Sequence, residues 1–323
     1  MKNPNQQTRI RKFWLKGFRP AMVIVASLLV LGTAVPLASA APEQHYKFIT
    51  VDARGKDLSN SFQLTWINDD GLVIQQYADS DNHSHTAALL RSGWTLIDVP
   101  GAANTGGTNP NSRGQVALSY WGDDGVMHLA IWERGHYTYI PDSAWEGYAF
   151  WGAQGINDRG QVSACVGNDD GSILYGWVGT SRHHTIFAYP GSTFTIAFMT
   201  NNSGTTVGEY VDADGNGHGF IKDGDDYESV DYPGGRNAYA LGINNAGDII
   251  GDYVVGPIGV GRAHGFLLQR GHLTPFDVPG AVSDFNFSIT DNHTITGTYQ
   301  APVGSFHGFI AVPVGGESRR ESR

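Results

Sequence analysis

The chain has 323 residues, of which 31 are acidic and 21 are basic, so its formal net charge is −10 at pH 7. This acidic balance makes nucleic acid and anionic membrane surfaces poor partners. A single cysteine, Cys165, excludes an internal disulfide, so stability must come from packing or from bound metal.

The composition also indicates strands and turns rather than helices. The chain contains 43 glycines and 14 prolines, and only 16% of its residues are charged. No window after Ala41 shows a sustained helical period of apolar residues. We therefore expect an all-β protein.

The first forty residues have the three-part pattern of a secretory signal. Six basic side chains and no acidic one are followed by an apolar run from Ala21 to Leu31 and then by Ala38-Ser39-Ala40. The run is short for a membrane anchor and no second span follows, so we expect cleavage after Ala40, a periplasmic or secreted location and no stable membrane insertion. Removing these six basic groups from the 21 leaves 15 against 31 acidic ones, a net charge of −16.

A turn motif recurs along the chain. The stretch "GINNAGDIIGDY", from Gly242 to Tyr253, has close counterparts in "WINDDGLVIQQY", "GINDRGQVSACV" and "TNNSGTTVGEY". Aligned on the turn, the copies are 43 to 46 residues apart, at Gly71, Gly114, Gly160, Gly204, Gly247 and His293. The fifth copy divides into four strand-like segments, "AYALGI", "DIIGDYV", "HGFLLQ" and "HLTPFDV". Four strands in a repeat of this length are typical of a propeller blade.

Six copies predict a six-bladed β-propeller, a single domain over residues 41–313 followed by a disordered tail at 314–323. The repeat region begins at residues 45–52 with "HYKFITVD", a fourth-strand segment without a blade, and ends at residues 307–313 with "HGFIAVP", a third strand without its fourth. We expect residues 45–52 to complete the last blade and close the ring. An open β-solenoid is the alternative, although its rungs are usually shorter.

The repeated pattern F-D-V-P-G-A, G-I-N-N-x-G-x-I-x-G-x-Y and H-G-F resembles the HAF-type extracellular repeat of bacterial secreted proteins, over residues 45 to about 313. The resemblance implies export and β-repeats, and it implies little about activity. The chain departs from it in the second copy, where Pro110 cannot donate to a strand ladder, and in the third, where Tyr175-Gly176-Trp177 replaces the His triplet.

The strand order assigns the loops to two rims. The first-to-second and third-to-fourth links form the asparagine rim, which carries Asn68, Asn111, Asn157, Asn201 and Asn244. These side chains are expected to bond to their own turns. The remaining links form the histidine rim, where propellers usually bind ligands because loops vary while strands stay fixed.

Five histidines begin the third strand in one shared register, beside acidic loops of the histidine rim: His85, His128, His218, His264 and His307. Repetition in five of six blades favours a structural role. A catalytic base is the alternative for one or two of them, with His218 and His264 as candidates if they reach the axis.

Oxygen-bearing side chains occur near the starts of the innermost strands and in the third-blade loop "DSAWEGYAFW". They are Asn60, Asn104, Asn237 and Asp284, together with Glu146 from that loop. Because Ca²⁺ accepts six to eight hard oxygen ligands in flexible geometry, they predict a calcium site in the axial funnel. The alternative is that Asn and Asp here only begin strands and finish loops.

A second calcium candidate is "DADGNG", with Asp212, Asp214 and Asn216, which partly matches the start of an EF-hand loop. A hairpin tip explains this stretch as well. The aromatic residues Trp145, Phe150 and Trp151 are candidates for an apolar substrate-binding wall, and packing between blades is the alternative.

Two functional classes fit these features. In architecture the predicted protein is similar to six-bladed calcium-dependent lactonases such as gluconolactonases and paraoxonases. That similarity implies hydrolysis of small lactones or esters, acyl-homoserine-lactone-type signals included, with a funnel metal polarising the carbonyl and His218 or His264 activating water. The alternative is a non-catalytic extracellular protein that binds a glycan, peptide or surface partner. We take the hydrolase as the main hypothesis because it makes the sharper prediction.

Overall fold

The computed structural model describes residues 46–52, 63–256 and 261–314. The predicted signal peptide, Asn60 and nearly all of the predicted tail lie outside these ranges. Within them, no helix is long and apolar enough to cross a membrane.

The described residues form six antiparallel sheets of four strands each. Strand β1 (Tyr46–Val51) precedes blade one, which contains β2 (Leu64–Ile67), β3 (Val73–Ala78), β4 (Ser84–Leu90) and β5 (Gly93–Leu96). Blade two contains β6 (Thr105–Gly107), β7 (Gln115–Trp121), β8 (Met127–Glu133) and β9 (His136–Ile140), followed by a short 3-10 helix (Asp142–Trp145). Blade three contains β10 (Ala149–Ile156), β11 (Val162–Gly167), β12 (Leu174–Gly179) and β13 (His184–Phe187).

The second half of the chain repeats this arrangement. Blade four contains β14 (Thr195–Thr200), β15 (Thr206–Val211), β16 (Gly217–Asp223) and β17 (Asp226–Val230). Blade five contains β18 (Arg236–Ile243), β19 (Ile249–Val255), β20 (Arg262–Gln269) and β21 (His272–Pro275), and blade six contains β22 (Ser283–Ile289), β23 (Ile295–Gln300) and β24 (Phe306–Pro313).

The amino-terminal strand closes the ring. Strand β1 pairs antiparallel with β24, from Tyr46 opposite Pro313 to Val51 opposite Gly308, and so becomes the fourth strand of blade six. The predicted six-bladed propeller, with four strands per blade and amino-terminal closure, is therefore confirmed.

The first strand of each blade is innermost, since first strands of neighbouring blades contact one another at four of the six seams: β10 with β14, β14 with β18, β18 with β22 and β22 with β2. Strand β11 is buried along its whole length, whereas the outer strand β1 alternates between half-buried and exposed residues. Apolar clusters fill the seams between blades: one joins Trp66 of blade one, Trp132 of blade two and Phe287 of blade six. The core thus lies between the sheets and around the axis.

The H-G-F triplet has a packing explanation. In blades four, five and six its aromatic residues, Phe220, Phe266 and Phe309, are among the largest fully buried side chains. Its glycine lets the next blade approach, because a Cβ on Gly265 would lie 2.1 Å from both Asn286 Nδ2 and the Phe276 carbonyl oxygen. The triplet therefore sets the distance between blades.

The turn asparagines bond their own turns, as expected, and also link the blades. Asn157 Oδ1 accepts hydrogen bonds from the backbone N–H groups of Arg159 and Gln161, at 3.0 and 2.9 Å. Each Nδ2 group also donates to a carbonyl oxygen of the next blade, in the series Asn68 to Asn111, Asn111 to Asn157, Asn157 to Asn201, Asn201 to Asn244 and Asn244 to Thr290. This inter-blade series was not predicted from the sequence.

Replacing one member of the series should weaken the ring. Asn157→Ala removes two turn hydrogen bonds and the bond to Asn201, and we expect it to lower the free energy of unfolding by about 2 to 4 kcal/mol. Arg159→Ala, an exposed side chain in the same turn, is the control and should change stability little. Urea denaturation of both variants measures the difference, and equal stabilities would contradict the assigned role.

Candidate functional site

The histidine rim carries five similar clusters, which we call the Tyr–His–Asp units. In each unit the histidine ring packs on the tyrosine opposite it on the second strand, with ring centroids 5.1 to 5.7 Å apart. Its Nδ1 atom lies 2.6 to 3.2 Å from an aspartate that follows the fourth strand. The units are Tyr77–His85–Asp98, Tyr120–His128–Asp142, Tyr210–His218–Asp231, Tyr253–His264–Asp277 and Tyr299–His307–Asp52.

His218 shows how a unit is held. Its Nδ1 lies 2.6 Å from Asp231 Oδ1, and its Nε2 lies 3.1 Å from Asp212 Oδ2 in the preceding loop. Desolvation lowers the pKa of His218, but hydrogen bonds to Asp231 and Asp212 outweigh it, so the pKa is raised above its ordinary value. Both ring nitrogens of His218 are thus engaged with carboxylates, Nδ1 with Asp231 of the unit and Nε2 with Asp212 of the preceding loop.

Aromatic stacking extends two units across the seam to the previous blade. Tyr189 stacks on Tyr210 at 3.5 Å between centroids, and Tyr232 stacks on Tyr253 at 3.8 Å. Both outer tyrosines immediately precede a Pro-Gly link, which explains why the stacked ring reaches the following blade. The units therefore lie at the seams between blades.

Blade three departs from the pattern, as its sequence indicated. Trp177 replaces the buried phenylalanine of the triplet, and its Nε1 donates to the Ala144 carbonyl oxygen. His184 stacks on Trp177, and its Nε2 lies 2.9 Å from Glu146 Oε1. Glu146 was predicted to point at the axial opening. It instead lies beside the outermost strand of blade three, because the preceding 3-10 helix packs its loop onto that blade.

The predicted metal ligands Asn104 and Asn237 lie at the starts of innermost strands, as expected. Asn104 Oδ1 accepts the backbone N–H of Ser84 at 2.9 Å, and Asn237 Oδ1 accepts that of Gly217 at 3.1 Å. Each bond ties an inner strand to the third strand of the previous blade. This matches the alternative of a strand-starting role, and a calcium role for these residues stays a prediction.

Asp284 also serves a backbone group. Its Oδ2 accepts the N–H of Val278 at 2.7 Å, a bond that closes the Pro-Gly loop across six residues. Thr105 and Thr195 make the same six-residue bond in blades two and four. Burial, with Asp277 and Asp252 nearby, raises the pKa of Asp284 well above its ordinary value.

The three aromatic candidates do not form an exposed wall. Trp145 and Phe150 are 2% and 4% exposed, and their rings stack at 4.4 Å between centroids. Trp151 is half-buried and donates from Nε1 to the Asn168 carbonyl oxygen. Trp145 and Phe150 fill the seam between blades two and three, which matches the alternative of packing between blades, and a substrate-binding role for them stays a prediction.

Cys165 lies in a strand, and the "DADGNG" stretch forms the hairpin tip given as its alternative. Cys165 is fully buried on β11, and burial raises the pKa of its thiol to about 12. Asp212 Oδ1 accepts the N–H groups of Asp214 and Asn216, at 2.9 and 2.8 Å, which forms a hairpin tip.

The sequence reasoning missed an axial cavity on the asparagine rim. It measures about 420 Å³ including its open mouth. A ring of polar side chains lines it, five that follow the turn asparagines and one that follows Thr290 in blade six: Asp69, Ser112, Asp158, Asn202, Asn245 and Asp291. Most of these accept a backbone N–H from the blade before them, as in Asp158 from Ser112 at 2.7 Å and Asp69 from Asp291 at 2.8 Å. The repeated polar residue after each asparagine was the signal for this ring.

Comparison with known proteins gives a fold and no family. No protein-family model and no curated protein matches the chain. Among solved structures, AofleA from Arthrobotrys oligospora is similar, with a TM-score of 0.50, 13% identity and coverage of 82% of this chain and 86% of that one. A variant of AofleA in which three arginines are replaced by alanine gives a TM-score of 0.51.

Two further structures are lectins. The Aleuria aurantia lectin, described as a six-bladed β-propeller with a novel fucose recognition mode, has a TM-score of 0.47, 14% identity and coverage of 83% of this chain and 100% of that one. SapL1 lectin in complex with α-methyl fucoside has a TM-score of 0.48, 15% identity and coverage of 75% and 88%. At these identities the similarity shows the propeller fold alone.

The predicted lactonase or esterase activity is contradicted. His218 and His264 engage Asp231 and Asp277 of their own units rather than converging on one centre. The HAF-type resemblance is supported only in its coarser part, a repeat-built β-propeller, because no family model matches.

The raised histidine pKa makes a prediction about pH. A pKa that is higher in the folded state adds stability below about pH 6.5, and this contribution is lost as pH rises through the folded-state pKa. Asp231→Asn should lower the pKa of His218, which NMR titration of the imidazole measures. The variant should also lose less stability than the wild type as pH rises. We expect this difference to be under about 1 kcal/mol, because the Asp231 side chain is 55% exposed. An unchanged His218 pKa would contradict the pairing.

Proposed function

We propose that the protein is a non-catalytic glycan-binding β-propeller that binds sugars along its histidine rim. The observation that carries the proposal is the repetition of the Tyr–His–Asp unit in five of the six blades, at the seams of one rim. A repeated polar and aromatic cluster suits a ligand that presents the same hydroxyl-rich surface several times.

The exposed parts of the units have the chemistry that sugar recognition requires. The side chains of Asp142 and Asp231 are 57% and 55% exposed, so their carboxylates have lone pairs available to sugar hydroxyls. The histidine bonded to each carboxylate fixes the orientation of that carboxylate, so less side-chain entropy is lost when a sugar binds.

Blade two adds an exposed aromatic surface to its unit. Tyr139 is 53% exposed and packs edge-on against Tyr120, whose ring lies on His128. An aromatic face beside a carboxylate suits the apolar C–H face of a sugar ring together with its hydroxyls. We infer that this unit is the best equipped of the five for a single sugar.

Five weak sites on one rim would act together. A branched or clustered glycan that contacts two or more units gains avidity without any tighter individual site. The expected export of the chain, based on the signal-like segment at residues 1–40, would bring the rim into contact with cell-surface or matrix glycans. The structural similarity to lectins supports the same class of ligand.

A glycan panel tests the proposal. The mature chain, labelled at its amino terminus, is applied to an array of neutral, acidic and amino sugars, and the strongest ligand is measured by calorimetry. We expect binding with more than one sugar per chain, and weakening of at least roughly tenfold in the double variant Asp142→Asn with Tyr139→Ala.

Asp225→Asn provides the matched control. It removes the same charge from an exposed loop on the opposite rim, so it should leave glycan binding unchanged. Absence of binding across the panel, or equal binding by the double variant and the control, would overturn the proposal.

A further inference from the structure

The link between β3 and β4 in blade one gathers three groups that ligate metals. In the stretch "DSDNHSH", Asp79, Asp81 and His83 each offer one ligand atom, and these atoms all lie within 4.8 Å of one another. Two are carboxylate oxygens and one is an imidazole nitrogen. No part of the glycan-binding proposal uses His83 or Asp81.

The backbone of the loop fixes this arrangement. Asp79 Oδ1 accepts the N–H groups of Asp81 and His83, both at 2.9 Å, and Asn82 adopts a left-handed conformation with φ of 62°. Asp79 Oδ1 is therefore committed to the loop, while Oδ2 lies on the side facing His83.

Blade four contains the same loop with one informative difference. Asp212 Oδ1 accepts the N–H groups of Asp214 and Asn216, and His218 follows in the position of His85. There, Asn216 Nδ2 donates to Asp212 Oδ2 at 3.0 Å and closes the loop with a direct hydrogen bond.

In blade one that direct bond is absent. His83 occupies the position of Asn216, and its Nδ1 lies 3.8 Å from Asp79 Oδ2, too far for a hydrogen bond. Two ligand atoms bound to one tetrahedral ion at about 2.1 Å are separated by roughly 3.4 Å. The 3.8 Å between His83 Nδ1 and Asp79 Oδ2 is therefore close to the separation of two atoms that bind the same ion.

The donor set selects the kind of ion. One imidazole nitrogen with two carboxylate oxygens suits Zn²⁺, Cu²⁺ or Ni²⁺, whereas Ca²⁺ takes oxygen ligands only. His85 supplies the outer support that such sites use, because its Nε2 lies 3.2 Å from Asp79 Oδ2 and its Nδ1 lies 2.7 Å from Asp98. The exposed loop leaves the remaining coordination positions to water.

We propose that Asp79, Asp81 and His83 form a binding site for one transition-metal ion of the Zn²⁺ or Cu²⁺ type on the histidine rim of blade one. The site adjoins the Tyr77–His85–Asp98 unit through the contact between Asp79 and His85, but its metal ligands are not members of that unit. It is also distinct from the calcium site predicted for the axial funnel.

Reciprocal substitutions at His83 and Asn216 test the proposal. The chelator-stripped mature chain, without an affinity tag, is titrated with Zn²⁺ by calorimetry and with Cu²⁺ by electron paramagnetic resonance. His83→Asn installs the residue that blade four uses in the same loop, so the fold should be kept while the affinity of the tightest site falls by at least about 100-fold. The nitrogen coupling of one imidazole should disappear from the Cu²⁺ spectrum.

The reciprocal variant checks the geometry. Asn216→His places a histidine over Asp212 and Asp214, and we expect it to raise the number of tight sites from one to two. Circular dichroism verifies that both variants fold. The proposal is overturned if the wild-type chain has no site tighter than non-specific binding to surface carboxylates, or if His83→Asn binds as tightly as the wild type.

Discussion

The blades of this propeller depend on their neighbours for hydrogen bonds that each blade cannot make alone. On the histidine rim, Asn104 and Asn237 accept backbone N–H groups of the blade before them. On the asparagine rim, turn side chains donate to carbonyl groups of the blade that follows, and Asp69 of blade one accepts N–H groups from blade six. Buried backbone groups without partners are costly, so a ring of six sheets is satisfied only when it is closed.

This constraint explains why the predicted ligand set looks different in three dimensions. Short polar side chains at strand starts were interpreted as oxygen ligands for calcium, but the buried inner strands need the same oxygens for backbone N–H groups. Asp284 shows this structural role most clearly, because Thr105 and Thr195 accept the equivalent backbone N–H in blades two and four. A carboxylate and a hydroxyl are interchangeable for that task, whereas they are unequal as metal ligands.

The rim side chains that make no hydrogen bond between blades account for the differences among the blades. The Tyr–His–Asp units repeat the same stacking and charge pairing, yet only the unit of blade two has Tyr139 beside it. Likewise, the loops after β3 and β15 share their backbone bonds and differ in His83 and Asn216. The proposed functional differences between blades therefore arise at single positions on a repeated backbone arrangement.

The sequence by itself determined the blade number, the four strands of each blade and the closure by the amino-terminal strand, because these follow from the period of the repeat and from the unmatched segments at its ends. It also determined that the turn asparagines bond their own turns, which is a local interaction. Only the tertiary structure decided that Glu146 pairs with His184, that Trp145 is buried, and that the asparagines link one blade to the next. The contacts of Glu146 with His184 and of Asn157 with Asn201 join residues 38 and 44 positions apart. The spacing of residues along one strand does not encode which loop or sheet packs beside it.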